Sequence, residues 1–318
     1  MTRKEIIAVA RASALSAALF IASGLVPVLG TFAALLSPLP ILVYAAGSAR
    51  AELRAMVAVV IASALMAIGA GPQGAGSYLL SFGLAAVVAV RMLERRRPFE
   101  MVVIVPAAAM LAAAAITALA TFGTPAAISK ALEAQLAAGM VRGQEMYRAI
   151  GMPNAVTSET RTEMINLIMR ITPALAAIVA GFAMLVNLRL FWRYSGKNRL
   201  SYPLFGDLTR WSAPEWLIWG LIATGFGMLA PARALSDVAL NGFLVFTAIY
   251  FCQGLAIVSF YFQALSVPMI VRGVIYFITI VQPVVAGVAC IAGIFDMWID
   301  FRRLKPPRQE AGNFGDFL

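Results

Sequence analysis

The chain has 318 residues, of which 61% are hydrophobic and 13% are charged, and its mean hydropathy is +0.86. Soluble domains carry about 25% charged residues, and a chain of this length has too little interior to bury so much apolar surface. The composition therefore excludes a soluble globular protein and predicts that lipid surrounds most of the chain.

The formal net charge is +10, and the sequence contains no histidine. The basic residues fall in short clusters between apolar segments, as the positive-inside rule describes for membrane proteins, so the charge does not predict a nucleic-acid ligand. Without histidine the chain lacks the commonest general base and the usual haem and zinc ligand. Cys252 and Cys290 lie in apolar segments and are expected to be core residues, without a disulfide or a metal.

The first predicted span covers residues 6–29, and Arg3 and Lys4 are expected to hold the N-terminus in the cytoplasm. We interpret this span as a retained helix and not as a cleaved signal peptide. Alanines recur at every fourth position and give the helix a face of small side chains, which lets another helix dock closely. This predicted docking face consists of Ala10, Ala14, Ala18 and Ala22. Because alanine is abundant in the chain, coincidence is the alternative.

Four further spans are predicted before residue 123. They cover residues 31–47, 53–70, 75–91 and 101–122. Pro38 and Pro40 are expected to break the second span into a kinked or re-entrant segment. The glycine-rich stretch 69–76 is uncharged and predicts a turn on the outer side, and the basic cluster after the fourth span marks the cytoplasmic side. The cytoplasmic markers that we assign are Arg95, Arg96, Arg97, Arg302 and Arg303.

Residues 123–170 depart from this pattern, because five basic and four acidic residues nearly balance whereas the cytoplasmic clusters are net positive. Gly151, Pro153 and Asn154 are expected to end one helix, and the capping box Thr160–Glu163 to open the next. We predict an amphipathic helical insert on the extracytoplasmic surface. Its role as a lid over a site and its role as a structural extension both stay open.

The sixth span is predicted over residues 171–191, and three more apolar segments follow. They cover residues 215–232, 237–264 and 268–299. Nine spans would place the polar C-terminal tail, residues 304–318, outside, although its basic residues favour the cytoplasm. A break at Gln282 and Pro283, which would divide the last segment into two half-length helices, would resolve this conflict. A second segment that fails to span at Pro38 and Pro40, together with a miscount of other helices, would resolve it as well. The sequence thus predicts an all-α polytopic transmembrane helical bundle of eight or nine spans, forming a single integral membrane domain over residues 1–318.

Polar side chains within the C-terminal apolar segments form the candidate substrate-binding or polar cluster. Placing a polar group in hydrocarbon costs several kcal/mol of free energy unless a hydrogen-bond or ion-pair partner is present. The candidates are Asn241, Gln253, Arg272, Asp296 and Asp300. Each also has a structural interpretation: hydrogen bonds between helices for the two amides, a topology marker for the arginine, and an interfacial helix end for Asp300.

Asp296 and Asp300 lie four residues apart, which places them on one helical face. Arg272 is the expected partner of Asp296 only if the last segment bends at Pro283. A straight helix would hold the two residues about 36 Å apart.

Four stretches near the C-terminus resemble the YybS-like family of bacterial polytopic membrane proteins, a domain of unknown function. They are Asn241, residues 253–260, the pair Arg272 and Gly273, and residues 293–303. That family is distantly similar to the S-components of energy-coupling-factor transporters. The resemblance implies six S-component-like N-terminal helices, an alanine face on the first helix that docks on a coupling partner, and a multi-pass location in the bacterial cytoplasmic (inner) membrane. No vitamin-binding signature is visible, and S-components are much shorter.

No motif of an enzyme is present: the sequence lacks Gly-x-Ser-x-Gly, and Asp296 has no second deep aspartate for intramembrane proteolysis. We therefore expect no catalysis, no cofactor and no metal. The leading prediction is a transport-related, solute-binding membrane protein that a partner module energises. The alternative is a non-transport scaffold that docks envelope or biosynthetic proteins. Both imply contact with the lipid bilayer and a membrane protein partner.

Overall fold

The computed structural model of the protein describes residues 3–25, 27–48, 50–149, 151, 157–195 and 208–304. Helices make up the regular structure of these residues, as the sequence predicts, and no strand occurs among them. The chain divides into two compact units, Met1–Gly206 and Asp207–Leu318. The single integral membrane domain over residues 1–318 stays a prediction.

Unit 1 is built from eight described α-helices that surround an alanine-rich core. They are α1 (Arg3–Leu25), α2 (Pro27–Leu35), α3 (Leu39–Ala45), α4 (Ala51–Tyr78), α5 (Leu84–Glu94), α6 (Phe99–Phe122), α7 (Pro125–Ala149) and α8 (Ser158–Tyr194). A short π-helix, Leu79–Gly83, joins α4 to α5. Small side chains on α1 and α4 allow the helices to approach closely, the usual packing mode of membrane helices.

The second predicted span is broken at its prolines, as expected. α2 ends at Leu35, and α3 begins at Leu39. Pro40 has no N–H to donate to the carbonyl of Leu36, which a continuous helix requires. That carbonyl instead accepts a hydrogen bond from Leu39 N at 3.0 Å. The break therefore follows directly from the two prolines.

The stretch Ala51–Glu94 folds back on itself at Gly71, within the predicted outer turn. Gly71 has φ 76° and ψ 174°, a conformation that only glycine adopts freely, and Pro72 starts the next helical arm. Arg91 Nη1 lies 3.6 Å from Glu52 Oε2. On one straight helix these residues would lie about 58 Å apart. The third and fourth predicted spans are thus the two arms of a helical hairpin.

The predicted insert consists of α7 and the start of α8, which pair through a hydrogen bond of 2.9 Å from Arg161 Nη2 to Gln144 Oε1. The helix start predicted at Thr160 is wrong by a few residues. Thr157 is the N-cap, because its side chain accepts a hydrogen bond from Thr160 N. α8 then continues unbroken through the sixth predicted span. α7 ends at Ala149 and Gly151 has φ 77°, so the predicted break is present at Gly151, whereas Pro153 and Asn154 lie outside the described residues. The outer location of the insert stays a prediction.

Five described helices are long and apolar enough to cross a membrane, or six if the bent pair near the C-terminus counts as one span. The predicted eight or nine spans are not confirmed. This count takes residues 51–94 as one helix, although the chain reverses at Gly71. The segments predicted over residues 31–47 and 215–232 contain only shorter helices.

Unit 2 holds a 3₁₀ turn and four described helices. They are Leu208–Arg210, α9 (Leu217–Gly227), α10 (Arg233–Ala264), α11 (Met269–Val281) and α12 (Pro283–Ile299). α9 and α10 form an antiparallel pair in which Gly220 faces the ring of Phe246 and Gly227 faces Ala239. α11 and α12 meet at Gln282 with a bend of 97°, so the predicted break before Pro283 is confirmed.

α10 and α12 cross with their backbones in contact. A Cβ on Gly254 would lie 1.9 Å from the carbonyl oxygen of Ala289, and a Cβ on Gly293 would lie 2.1 Å from that of Tyr250. No other residue type fits at either position without moving a helix. The two glycines therefore set the distance between α10 and α12.

The two helices also run in the same direction. Three contacts join residues that are 43 positions apart in the chain. The pairs are Thr247 with Cys290, Tyr250 with Gly293 and Gln253 with Asp296. A constant separation of this kind is the mark of a parallel pair. α11 therefore has to carry the chain back before α12 begins.

Candidate functional site

Two of the predicted site residues, Gln253 and Asp296, contact each other inside unit 2. Their exposed fractions are 2% and 5%. Gln253 Nε2 donates a hydrogen bond of 3.1 Å to Asp296 Oδ2. The backbone N–H of Phe301 donates to Asp296 Oδ1, also at 3.1 Å. The crossing of α10 over α12 positions both side chains, because each residue lies within one turn of a crossing glycine.

The counter-ion of Asp296 is Arg302, whose side chain is completely buried. Arg302 Nη2 donates to Asp296 Oδ2 at 2.6 Å, and Nη1 donates to the carbonyls of Thr209 at 2.6 Å and Trp211 at 2.8 Å. Gln253 Oε1 accepts a hydrogen bond of 3.1 Å from Ala213 N. We call the side chains of Gln253, Asp296 and Arg302 the polar clasp. It joins α10, α12, the chain after α12 and the segment that leads into α9.

Within the clasp, the protein itself satisfies the carboxylate and amide oxygens. Desolvation makes a buried ion pair expensive, and additional hydrogen bonds to carbonyls offset that cost. Among the described residues, the buried Arg302 Nε of the clasp has no hydrogen-bond partner. The buried hydroxyl of Tyr250, which is not part of the clasp, has none either. The other polar atoms of the clasp are used in holding the four segments together. This arrangement fits a structural connection better than a solute site.

Asn241 and Asp300 lie outside this arrangement of hydrogen bonds. The half-buried Asn241 donates from Nδ2 to the carbonyl of Asp237 in its own helix at 2.8 Å. Asp300 ends α12 in the left-handed conformation, and its Oδ1 accepts a hydrogen bond of 2.8 Å from Leu304 N. Asp300 is therefore a residue of the turn after α12, which agrees with its structural interpretation.

The predicted pairing of Arg272 with Asp296 is wrong, although the bend that it required is present. Arg272 Nε donates to the carbonyl of Val267 at 2.7 Å, and Nη2 donates to that of Phe262 at 3.2 Å. These carbonyls lie at and just beyond the end of α10. Arg272 thus caps α10, and Asp296 pairs with the nearer Arg302.

The predicted docking face of α1 points away from the core of unit 1. Three of its alanines are exposed and Ala22 is half-buried, whereas Val9, Ala12 and Ser16 on the opposite side are buried. The exposed alanines are Ala10, Ala14 and Ala18. Docking of a partner on this face stays a prediction.

The predicted cytoplasmic markers divide into exposed and buried residues. Arg95, Arg96, Arg97 and Arg303 are exposed, as topology markers should be, whereas Arg302 is the buried counter-ion described above. Two ion pairs join other charged residues of unit 1: Glu5 pairs with Arg54, and Glu52 pairs with Arg91.

A second group of buried polar residues, at the break between α2 and α3, was missed in the sequence. Ser16, Ser37 and Tyr78 have no exposed surface. Ser16 Oγ lies 2.6 Å from the Tyr78 hydroxyl and donates to the carbonyl of Ser37 at 2.6 Å. The prolines that break the helix were the available signal. A broken helix leaves backbone N–H and C=O groups without helical partners, and neighbouring side chains must then form hydrogen bonds to them.

Asn187 of α8 forms a hydrogen bond at the same break between α2 and α3 and is also fully buried. Its Nδ2 donates to the carbonyls of Leu35 and Ala183, each at 2.7 Å. Its Oδ1 is buried without a hydrogen-bond partner among the described residues. We call Ser16, Ser37, Tyr78 and Asn187 the unit 1 polar centre. An asparagine inside an apolar span was the available signal.

An open cavity of about 370 Å³ lies at the charged end of unit 1. Its lining residues are Ser48, Arg50, Ala51, Glu52, Leu53 and Glu94. Glu94 Oε1 already accepts a hydrogen bond of 2.9 Å from Gly47 N. The cavity shares no lining residue with the unit 1 polar centre.

No curated protein and no solved structure matches the chain. One family, described as Predicted membrane protein (DUF2232), matches residues 14–297. The match covers all described α-helices except the first residues of α1 and the last residues of α12, and it includes Gln253 and Asp296. It supports a multi-pass membrane protein with no assigned function. The chain, with its apolar helices and buried polar side chains, belongs to this DUF2232 family of predicted membrane proteins.

Proposed function

We propose that the protein is a non-enzymatic, transport-related membrane protein that binds a small solute and works with a partner that supplies energy. The observation that carries this proposal is the unit 1 polar centre at the break between α2 and α3. Transporters often bind their substrates where a membrane helix is interrupted, because the interruption offers backbone polar groups inside an apolar bundle. Buried polar residues within spans are therefore functional candidates.

Asn187 is the residue through which we propose that a solute is recognised. Its buried Oδ1 accepts no hydrogen bond from the described residues, and an unsatisfied buried acceptor costs about 1–3 kcal/mol. A solute that donates a hydrogen bond would recover this free energy. The partner, in this proposal, docks on the exposed alanines of α1.

A thermal-shift screen of the purified protein against vitamins, nucleotides and metal ions tests the proposal. A bound solute at a hundredfold excess over its Kd stabilises the protein by about 2.7 kcal/mol. We expect Asn187→Leu to abolish the shift and Asn241→Leu, a matched change in unit 2, to retain it. A shift that survives in both variants would place the solute elsewhere.

The second candidate function is that of a scaffold, and the closed polar clasp favours it. Gln253 and Asp296, which the sequence suggested for a substrate site, hold four segments of unit 2 together with Arg302. A screen without any stabilising compound, together with one membrane protein that co-purifies in a fixed ratio, would favour the scaffold over transport.

A further inference from the structure

The geometry points to a conformational device in unit 2: α11 and α12 form a re-entrant helix pair, and the polar clasp latches its base. The pair begins and ends at the same end of α10. Arg272, near the start of α11, bonds to the carbonyl of Phe262, while the Tyr261 hydroxyl donates a hydrogen bond of 2.8 Å to the carbonyl of Phe301, just after α12. Phe262 and Tyr261 are neighbours on α10.

A second, independent observation is the parallel direction of α10 and α12. A chain that simply crossed the membrane again after α10 would place its next helix antiparallel to α10. Here the return toward the start of α12 is left to α11, which meets α12 at 97°, has 13 residues and reaches about 20 Å. That is shorter than a hydrocarbon core of about 30 Å. The chain thus turns at Gln282 and comes back along α10.

The latch itself is the ion pair between Asp296 and Arg302. Arg302 follows α12 directly, and its two bonds to the carbonyls of Thr209 and Trp211 fix the end of α12 to the segment before α9. The other polar contacts of α12 and the turn after it with α10 are single bonds: Gln253 to Asp296, Cys290 to Thr247, and Tyr261 to Phe301. Loss of the ion pair therefore removes the charged bonds at the base of the pair and is expected to let α12 separate from α10 more often.

Cys290 is a natural reporter for this separation. The residue is 8% exposed, and its thiol lies between α12 and α10 and donates to the carbonyl of Thr247 at 3.5 Å. In a Cys252→Ser background it is the single thiol of the chain. We propose to measure its labelling by a small membrane-permeant maleimide in membrane vesicles that contain the full chain.

We expect Arg302→Ala to speed Cys290 labelling by about tenfold or more, the effect of about 1.4 kcal/mol on a local opening equilibrium. Arg303→Ala, the exposed neighbour, should leave the rate unchanged. Arg302→Lys keeps the charge but loses the planar fork that bonds to two carbonyls and a carboxylate, so an intermediate rate is expected.

The reversed pair Asp296→Arg with Arg302→Asp separates a latch from a general loss of folding. Partial recovery of the slow rate in this double variant supports the latch. Equal labelling rates in the parent, Arg302→Ala and Arg303→Ala would overturn it. If Arg302→Ala is lost from the membrane, the rates of Arg302→Lys and Arg303→Ala decide: identical rates contradict the latch, and a faster rate for Arg302→Lys supports it.

Discussion

At the residue scale, two neighbouring arginines illustrate what the sequence did not reveal. Arg302 and Arg303 have the same chemistry, yet Arg302 is buried against Asp296 and Arg303 is exposed. The difference arises at Asp300, whose left-handed backbone (φ 46°, ψ 60°) ends α12 and turns the chain. Aspartate visits this conformation occasionally, and no residue pattern announces it. The sequence therefore suggested Arg272 as the partner of Asp296.

The contrast between the two arginines gives a stability prediction. Arg302→Ala leaves the Asp296 carboxylate buried and unpaired, which destabilises a protein by about 3–5 kcal/mol. Arg303→Ala changes an exposed residue and should alter the free energy of unfolding by less than about 0.5 kcal/mol. Thermal unfolding in detergent measures both variants. Equal effects would contradict the assignment of Arg302 as the counter-ion.

Two buried tyrosine hydroxyls provide a matched test of the unit 1 polar centre. The Tyr78 hydroxyl bonds to Ser16, whereas the Tyr44 hydroxyl is buried without a partner in the described part of the chain. Tyr78→Phe should lower the free energy of unfolding by about 1 kcal/mol, because a net hydrogen bond is lost. Tyr44→Phe should be neutral or slightly stabilising in the same unfolding measurement. A larger loss in Tyr44→Phe would show that the hydrogen bonding of this centre is misassigned.

At the scale of elements, the breaks between helices were predictable and their contacts were not. The break before α3, the reversal at Gly71 and the bend at Gln282 all follow from proline or glycine, which act through the local backbone. The crossing of α10 and α12 depends on Gly254 and Gly293, which lie 39 positions apart. Nothing local distinguishes these glycines from the others in the same segments. The sequence therefore indicated Gln253 and Asp296 as polar residues that need partners, but not their contact with each other.

Glycine substitutions in α12 test the crossing. A Cβ at position 293 would lie 2.1 Å from a carbonyl oxygen of α10, whereas nothing lies within 4 Å of a Cβ at Gly287. Gly293→Ala should destabilise the protein by about 1–3 kcal/mol or more, because the helices must separate. Gly287→Ala should be neutral or stabilising, because alanine favours a helix more than glycine does. Unfolding temperatures of the two variants in detergent make the comparison, and equal temperatures would refute the close crossing.

At the scale of the whole molecule, the number of spans was the least predictable property. Hydropathy identifies apolar segments but does not show whether each one crosses the bilayer in a single continuous helix. α9 has 11 residues and reaches about 16 Å, roughly half of a hydrocarbon core. α11 and α12 together are long enough to span, yet they meet at Gln282 with a bend of 97°. The conflict over the C-terminal tail arose because the last apolar segment was counted as one crossing.

The re-entrant pair predicts on which side the tail begins. Arg302 bonds to the carbonyls of Thr209 and Trp211, so the tail starts beside the segment that leads into α9. In the sequence this segment follows the basic stretch of residues 193–199, which the positive-inside rule assigns to the cytoplasm. Reporter fusions at Arg97 and Leu304 should therefore both report the cytoplasm, and a fusion at Gly123 the outer side. An outer Leu304 with a cytoplasmic Arg97 would refute the re-entrant pair alone, whereas an outer Arg97 would refute the assignment of sides throughout unit 1.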